Sequence, residues 1–379
     1  MKTDAIAQIG ESGVLARSDF AKLLSTLQDE GYAVVGPTIR GGAVVYAEID
    51  DESELPIGWT DEQEAGTYRL KRSGVALFGY VAGAQSWKPN LFQPQRTLWT
   101  ARGNADGFVI EAVAEDMPRQ AFLGVRACEL KAISIQDHVL ADPANPESDY
   151  VARRQESFIV AVNCAKAGAT CFCVSMDAGP GVEAGYDLAL TELIDDVRHD
   201  FLVEIGSPRG ASIAARLPLT TASGGDIDAA EAVVSETAAG MGRTLNTVGL
   251  KSLLQDNPDH AQWDDVAARC LSCGNCTFAC PTCFCHSTED VTTIDGEVAE
   301  RQQRWDSCFS LDFSYIRGGA VRPGVASRYR QWMTHKLANW FDQFGESGCV
   351  GCGRCITWCP SGIDITAEAA AIRDSLRED

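Results

Sequence analysis

The chain has 379 residues and 15 cysteines, and its 32 Lys+Arg against 53 Asp+Glu leave a formal charge of −21. That length supports two or three domains with a substantial core, so the cysteines are not needed as staples, and the acidity opposes binding to nucleic acid or to anionic membrane surfaces. No apolar run approaches the ~20 residues that span a bilayer, and the opening MKTDAIAQIGESG lacks a basic stretch followed by an apolar one, which predicts a soluble protein of the reducing cytoplasm, where clustered cysteines more often bind metal than form disulfides.

In chain order, Ser18 is placed to cap a helix whose apolar face is Phe20, Leu23, Leu24 and Leu27, ending near Gly31. Tyr32–Ile39 and Ala43–Ile49 are β-rich and separated by Arg40-Gly41-Gly42, which reads as a hairpin. Strand-like runs Val75–Val81 and Phe108–Val113 flank a stretch around Trp87-Lys88-Pro89. Residues 1–117 are therefore expected to form an α+β domain.

From 118 to 250 apolar runs alternate with helical ones: Ala121–Val125 then Leu130–Leu140, Phe158–Val162, and Phe201–Ile205 followed by a helix after Pro208. This alternation predicts an α/β domain with some parallel strands. Leu219–Ala229, rich in Thr, Ser, Gly and Asp, reads as a loop or linker. Residues 251–379 are expected to form a mainly α-helical two-cluster ferredoxin-like domain. There Tyr329, Trp332, Met333, Leu337, Trp340, Phe341 and Phe344 recur at spacings of three and four, a helical face suited to packing behind a cofactor.

The cofactor reading comes from the cysteines. Cys270, Cys273, Cys276 and Cys280 precede Pro281, and Cys349, Cys352, Cys355 and Cys359 precede Pro360, so CxxCxxCxxxCP occurs twice. Three thiolates at intervals of three wrap one corner of a cubane, and in two-cluster ferredoxins the fourth cysteine serves the other cluster. The expectation is two [4Fe–4S] clusters, one on Cys270, Cys273, Cys276 and Cys359, the other on Cys349, Cys352, Cys355 and Cys280. Gly274, Gly351 and Gly353 let the backbone approach such a body closely. Zinc takes four ligands, usually as two separated pairs, and would leave cysteines of each run unexplained.

Cys128 and Cys164 each close an apolar run, and Cys171 and Cys173 form a CxC nearby. They are expected to hold a third [4Fe–4S] cluster at the edge of a sheet, the alternative being ordinary buried thiols. Cys283, Cys285, His286 and Cys308 follow the first run and either make a Cys₃His metal site or line the segment between the runs. His138, His199, His260 and His335 show no ligand spacing and read as surface or core residues.

Several motifs together resemble a known family: VGPT at Val35–Thr38, GWTDEQEAGTYRL at Gly58–Leu70, SWK at Ser86–Lys88, RACELKAI at Arg126–Ile133, NC at Asn163-Cys164, TCFCVSM at Thr170–Met176, CPTCFC at Cys280–Cys285, WDSC at Trp305–Cys308 and CVGCGRCITWCP at Cys349–Pro360. The sequence is similar to the β (iron–sulfur) subunit of cytoplasmic [NiFe] sulfhydrogenases and equally to the corresponding iron–sulfur component of anaerobic sulfite reductase, over nearly its whole length. The resemblance implies a relay passing electrons between a flavin- and NAD(P)-binding subunit and a catalytic one, which carries a [NiFe] centre in one complex and siroheme in the other. The residues agree through what they lack: no GxGxxG between a strand and a helix, no GxxxxGK[ST], and no paired CxxC motifs near opposite termini. The chain is not expected to be catalytic alone. A free-standing sulfur or disulfide reductase and a zinc-stabilised scaffold are the other readings, separable by colour and metal content.

Overall fold

The helix expected after Ser18 forms over Phe20–Asp29 in a computed structural model that describes residues 6, 8–81, 83–104, 107–113 and 117–378. Most of the first seven residues, part of the reading of the N-terminus, lie outside the described residues. Phe20, Leu23, Leu24 and Leu27 are buried as the periodicity predicts. The cap is Asp19 rather than Ser18, because Arg17–Asp19 first winds into a 3₁₀ turn.

The strands are β1 (Ser12–Ala16), β2 (Ala33–Arg40), β3 (Ala43–Glu48), β4 (Trp59–Glu64), β5 (Thr67–Arg72), β6 (Gln95–Asn104), β7 (Gly107–Ala112), β8 (Gln120–Val125), β9 (Phe158–Val162), β10 (Leu188–Ile194), β11 (His199–Ile205), β12 (Thr220–Thr221), β13 (His286–Thr292) and β14 (Val298–Trp305). A mixed sheet runs β12-β1-β11-β10-β9-β8-β2-β3. Its centre is parallel, β10 with β9, β9 with β8 and β8 with β2, while the expected hairpin β2–β3 and the remaining pairs are antiparallel. Alternate residues of the central strands feed two cores: Ala121, Leu123, Phe158 and Val160 pack with the Phe20–Asp29 helix on one face, and Phe122, Ile159 and Ala161 pack with helix Ala127–Leu140 on the other. The division expected at 117/118 runs through this sheet, since Ala33–Val35 pairs in parallel with Gln120–Phe122.

Two local expectations give way. Val75–Val81 is irregular rather than a strand, because side chains take its amides: Leu77 and Phe78 donate to the Glu192 carboxylate at 2.7 and 3.0 Å, and Val81 donates to Asp61 at 2.6 Å. Leu219–Ala229 contains the start of a helix, Gly224–Ala239. Ser223 caps it and Asp226 closes a capping box, so the polar residues that resemble a linker are a helix start.

The region beyond 250 holds helices Leu250–Gln255, Gln262–Arg269, Val325–Thr334 and Ile365–Glu378, but it is not helical throughout. Between the cysteine runs, hairpin β13–β14 pairs with β6 to form the antiparallel sheet β13-β14-β6-β7, joining both parts of the chain. On the aromatic face Tyr329, Trp332, Met333, Leu337 and Trp340 are buried, while Phe341 and Phe344 are exposed. A π-turn at His335–Asn339, which holds Leu337 and precedes Trp340, shifts the helical phase ahead of Phe341 and Phe344. Among the described residues no helix is long and apolar enough to cross a membrane.

Candidate iron–sulfur centres

The two cysteine runs fold alike. In each, the second residue after the first cysteine is left-handed, Ser272 at φ +53° and Gly351 at φ +64°. Each then donates its N–H to the preceding sulfur, Ser272 to Cys270 Sγ at 3.4 Å and Gly351 to Cys349 Sγ at 3.5 Å. Gly274 and Gly353, both at φ +75°, start the short helices Asn275–Phe278 and Arg354–Thr357 that carry Cys276 and Cys355. A Cβ at Gly351 would meet Phe172 O at 2.5 Å and one at Gly353 would meet Thr170 O at 2.4 Å, so the second run lies directly on the Thr170–Cys173 segment.

Cys270, Cys273, Cys276 and Cys359 line one cavity of about 440 Å³, walled by Phe309, Tyr329 and Trp332. Cys280, Cys349, Cys352 and Cys355 line a second of about 330 Å³, with Phe172, Trp332, Lys336 and Ile365. Cys355 borders both, so the cavities adjoin. The last cysteine of each run thus faces the cavity of the other run. Burial, and then the thiols alongside, push Cys276 and Cys355 well above the usual thiol range, and burial pushes Cys349 up to about 12. Such crowded thiols lose their protons when a cationic metal body takes them as ligands. Among the described residues, no three Cys, His, Asp or Glu side chains close on one point as ligands of a single ion would. The donors fit a body held at its corners, as a [4Fe–4S] cubane is, better than zinc.

Cys128, at the start of helix Ala127–Leu140, Cys164, after β9, and the Cys171/Cys173 pair also come together. Cys173, Cys128 and Cys352 of the second run border one apolar cluster, Cys171 Sγ lies 3.9 Å from Cys352 O, and Cys164 is near enough to act electrostatically on Cys171 and Cys173. Burial first raises all four thiols, Cys171 to about 12, and neighbouring thiols add to it at Cys128, Cys171 and Cys173, as Glu129 does at Cys164. The Arg126 guanidinium beside Cys164 opposes the rise there, and it is fixed by the carbonyls of Phe78, Tyr80 and Asn163 at 2.8, 3.1 and 3.1 Å.

One pair of site residues lies inside two of the motifs, RACELKAI and CVGCGRCITWCP, but was not itself singled out in the sequence. Glu129 and Arg354, each only 1% exposed, form an ion pair linking the residue after Cys128 to the residue before Cys355. Tyr46 Oη and Trp87 Nε1 both donate to Glu129 Oε2 at 3.1 Å, and Arg354 Nε donates to Gly83 O at 3.0 Å. The available signal was a carboxylate on a helix whose other inward residues, Gln136 apart, are apolar.

Around the remaining cysteines, β13–β14 pairs His286 with Trp305, and Asp306 N donates to Cys285 O at 2.9 Å, which brings Cys285 and Cys308 together. A hydrogen bond from Cys308 lowers the Cys285 thiol to about 7, while Cys283 interacts with Cys280. His286 is exposed, with Nδ1 3.1 Å from Phe284 O and its ring against Phe92.

Comparison with known proteins gives two matches. Residues 269–363 match the family model for a 4Fe-4S dicluster domain. The chain is 32% identical over 257 residues to sulfhydrogenase 2 subunit beta of Pyrococcus furiosus, an alignment covering 67% of this chain and 74% of that protein. No solved structure matches the chain.

Proposed function

This chain belongs to the family of sulfhydrogenase β subunits, and on that footing we propose that it relays electrons in a cytoplasmic complex between a flavin- and NAD(P)-binding subunit and a catalytic [NiFe] subunit. The observation that carries the reading is the pair of adjoining cavities, in which Cys359 faces the first cysteine run and Cys280 the second. We assign one [4Fe–4S] cluster to Cys270, Cys273, Cys276 and Cys359, and another to Cys349, Cys352, Cys355 and Cys280. A third is assigned to Cys128, Cys164, Cys171 and Cys173. When bound, such clusters exchange single electrons at potentials tuned by burial, hydrogen bonds and local charge.

The chain's own residues supply that tuning and the order of the path. Cys352 borders the Cys128 group, Cys355 borders both ferredoxin cavities, and Cys273 with Leu271 is exposed at the far end. The path then runs from the sheet, through the second run, to the surface at the first run. Amides of Ser272 and Gly351 donate to cluster thiolates, and Lys336 lies beside Cys280 and Cys349. Each favours the more negative, reduced state.

The test uses the full chain, purified without oxygen. It should take electrons from dithionite and pass them to a dye, yet neither oxidise NADPH nor split hydrogen. NADPH oxidation by the single chain would contradict the relay.

A further inference from the structure

We propose that Cys283, Cys285 and Cys308 hold an additional [4Fe–4S] cluster through three thiolates, with its fourth iron open to the adjoining cavity for a small anionic ligand. The proposal rests on the reading of this chain as an iron–sulfur protein, and adds a site of a different kind, one built to bind rather than only to relay.

Placement is the first argument. Cys283 and Cys285 lie on the loop leaving the first cysteine run, and Cys308 lies just beyond β14. The β13–β14 ladder fixes these two stretches side by side through the His286–Trp305 pair and the Asp306 amide on Cys285 O. All three cysteines line a cavity of about 1260 Å³, wider than either ferredoxin cavity, whose wall also carries Arg322, His335 and Lys336. Lys336 and Trp332 border the Cys280, Cys349, Cys352 and Cys355 cavity as well, so the two sites share a wall.

Charge is the second. Lys88 and Lys336 are each 4% exposed. Among the described residues, neither has a carboxylate partner. Lys88 Nζ sits 4.0 Å from the Trp305 ring centre and donates to Cys280 O at 3.0 Å, and Lys336 Nζ donates to Thr282 Oγ1 at 2.8 Å. A buried ammonium requires a buried counter-charge. Cys283 and Cys285, which belong to neither ferredoxin set, line the same cavity as Lys336. Cys280 and Cys349 supply part of that charge as ligands of the second ferredoxin set, and thiolates held by metal at Cys283 and Cys285 add to it where protonated thiols would not.

The donor count decides the kind of site. No three donors among the described residues close on a single ion, so a mononuclear site does not fit. Three cysteines and no fourth line this cavity; His286 borders it too, but its Nδ1 is engaged at 3.1 Å from Phe284 O and its ring rests against Phe92. One corner of a cubane is therefore left without a thiolate, beside the cationic Arg322 and Lys336.

The experiment compares iron and acid-labile sulfide in the full chain and in a Cys285→Ser, Cys308→Ser double variant, with cyanide as probe of the open iron. The wild type should carry about four more irons per chain than the variant, and cyanide should alter the EPR spectrum of the reduced wild type only. Equal iron in the two, with no cyanide effect on the wild type, overturns the proposal and leaves a thiol pair. Should the double variant fail to fold, the wild-type cyanide response decides alone: a changed spectrum supports the open iron and an unchanged one refutes it. Wild-type protein without iron would instead contradict the function proposed above.

Discussion

Ser272 and Gly351 occupy the same place in the two cysteine runs, both left-handed and each donating its amide to the sulfur two residues earlier. Only one is free to carry a side chain. The Ser272 hydroxyl accepts from Arg328 Nη2 at 3.3 Å, whereas a Cβ on Gly351 would strike Phe172 O.

Ser272→Gly should therefore change stability by no more than about 1 kcal/mol, relief of the left-handed strain offsetting the looser unfolded chain. Gly351→Ala should cost roughly 2–4 kcal/mol, since it adds left-handed strain to a backbone collision. Anaerobic urea unfolding of the two variants checks the contrast, and equal effects would contradict the close packing of the second run on Phe172.

Cys359→Ser should damage the cluster assigned to Cys270, Cys273 and Cys276 while leaving the one on Cys349, Cys352, Cys355 and Cys280 assembled. EPR of the reduced variant, where coupling between neighbouring clusters should disappear, reads this out. Loss of the second run's cluster instead would place Cys359 with its own run.

Removing one member of the Glu129–Arg354 pair leaves the other charge buried and unpaired. Arg354→Met should cost about 3–5 kcal/mol. Adding Glu129→Gln should recover part of that loss, because the stranded carboxylate is gone. Unfolding free energies of the single and double variants form the test, and additive losses would show that the two side chains act independently.

His335 gives a pH dependence. Burial, and then the neighbouring Lys336, lower its imidazole to about 4. Above the unfolded value of about 6.5 both states are neutral and nothing is lost. As pH falls below that, the unfolded chain takes up a proton that the folded chain refuses until about pH 4, so stability declines across this window at no more than about 1.4 kcal/mol per pH unit. His335→Gln should flatten that decline in urea midpoints measured from pH 7 to 4.5; an unchanged slope would assign the acid sensitivity to other groups.

The parts of the fold legible in the sequence are those encoded locally. The cysteine runs carry their ligand spacing within a few residues, and the Phe20–Leu27 periodicity and the Arg40-Gly41-Gly42 turn are equally local. What escaped depends on partners far along the chain. Val75–Val81 has the composition of a strand, but Glu192 and Asp61 take its amides. The parallel pairing of β2 with β8 joins stretches that composition separates, and the Glu129–Arg354 pair joins two motifs, RACELKAI and CVGCGRC, that look unrelated in sequence. Ser223 and Asp226 show the converse, a helix start whose residue types are those of a loop.

The most direct test of the central claim is iron, zinc and acid-labile sulfide analysis of the anaerobically purified chain, read with its Mössbauer spectrum. The two exchanged ferredoxin sets require at least about eight irons and eight sulfides per chain, all in [4Fe–4S] form. Zinc in place of iron, or iron without matching sulfide, would contradict the account.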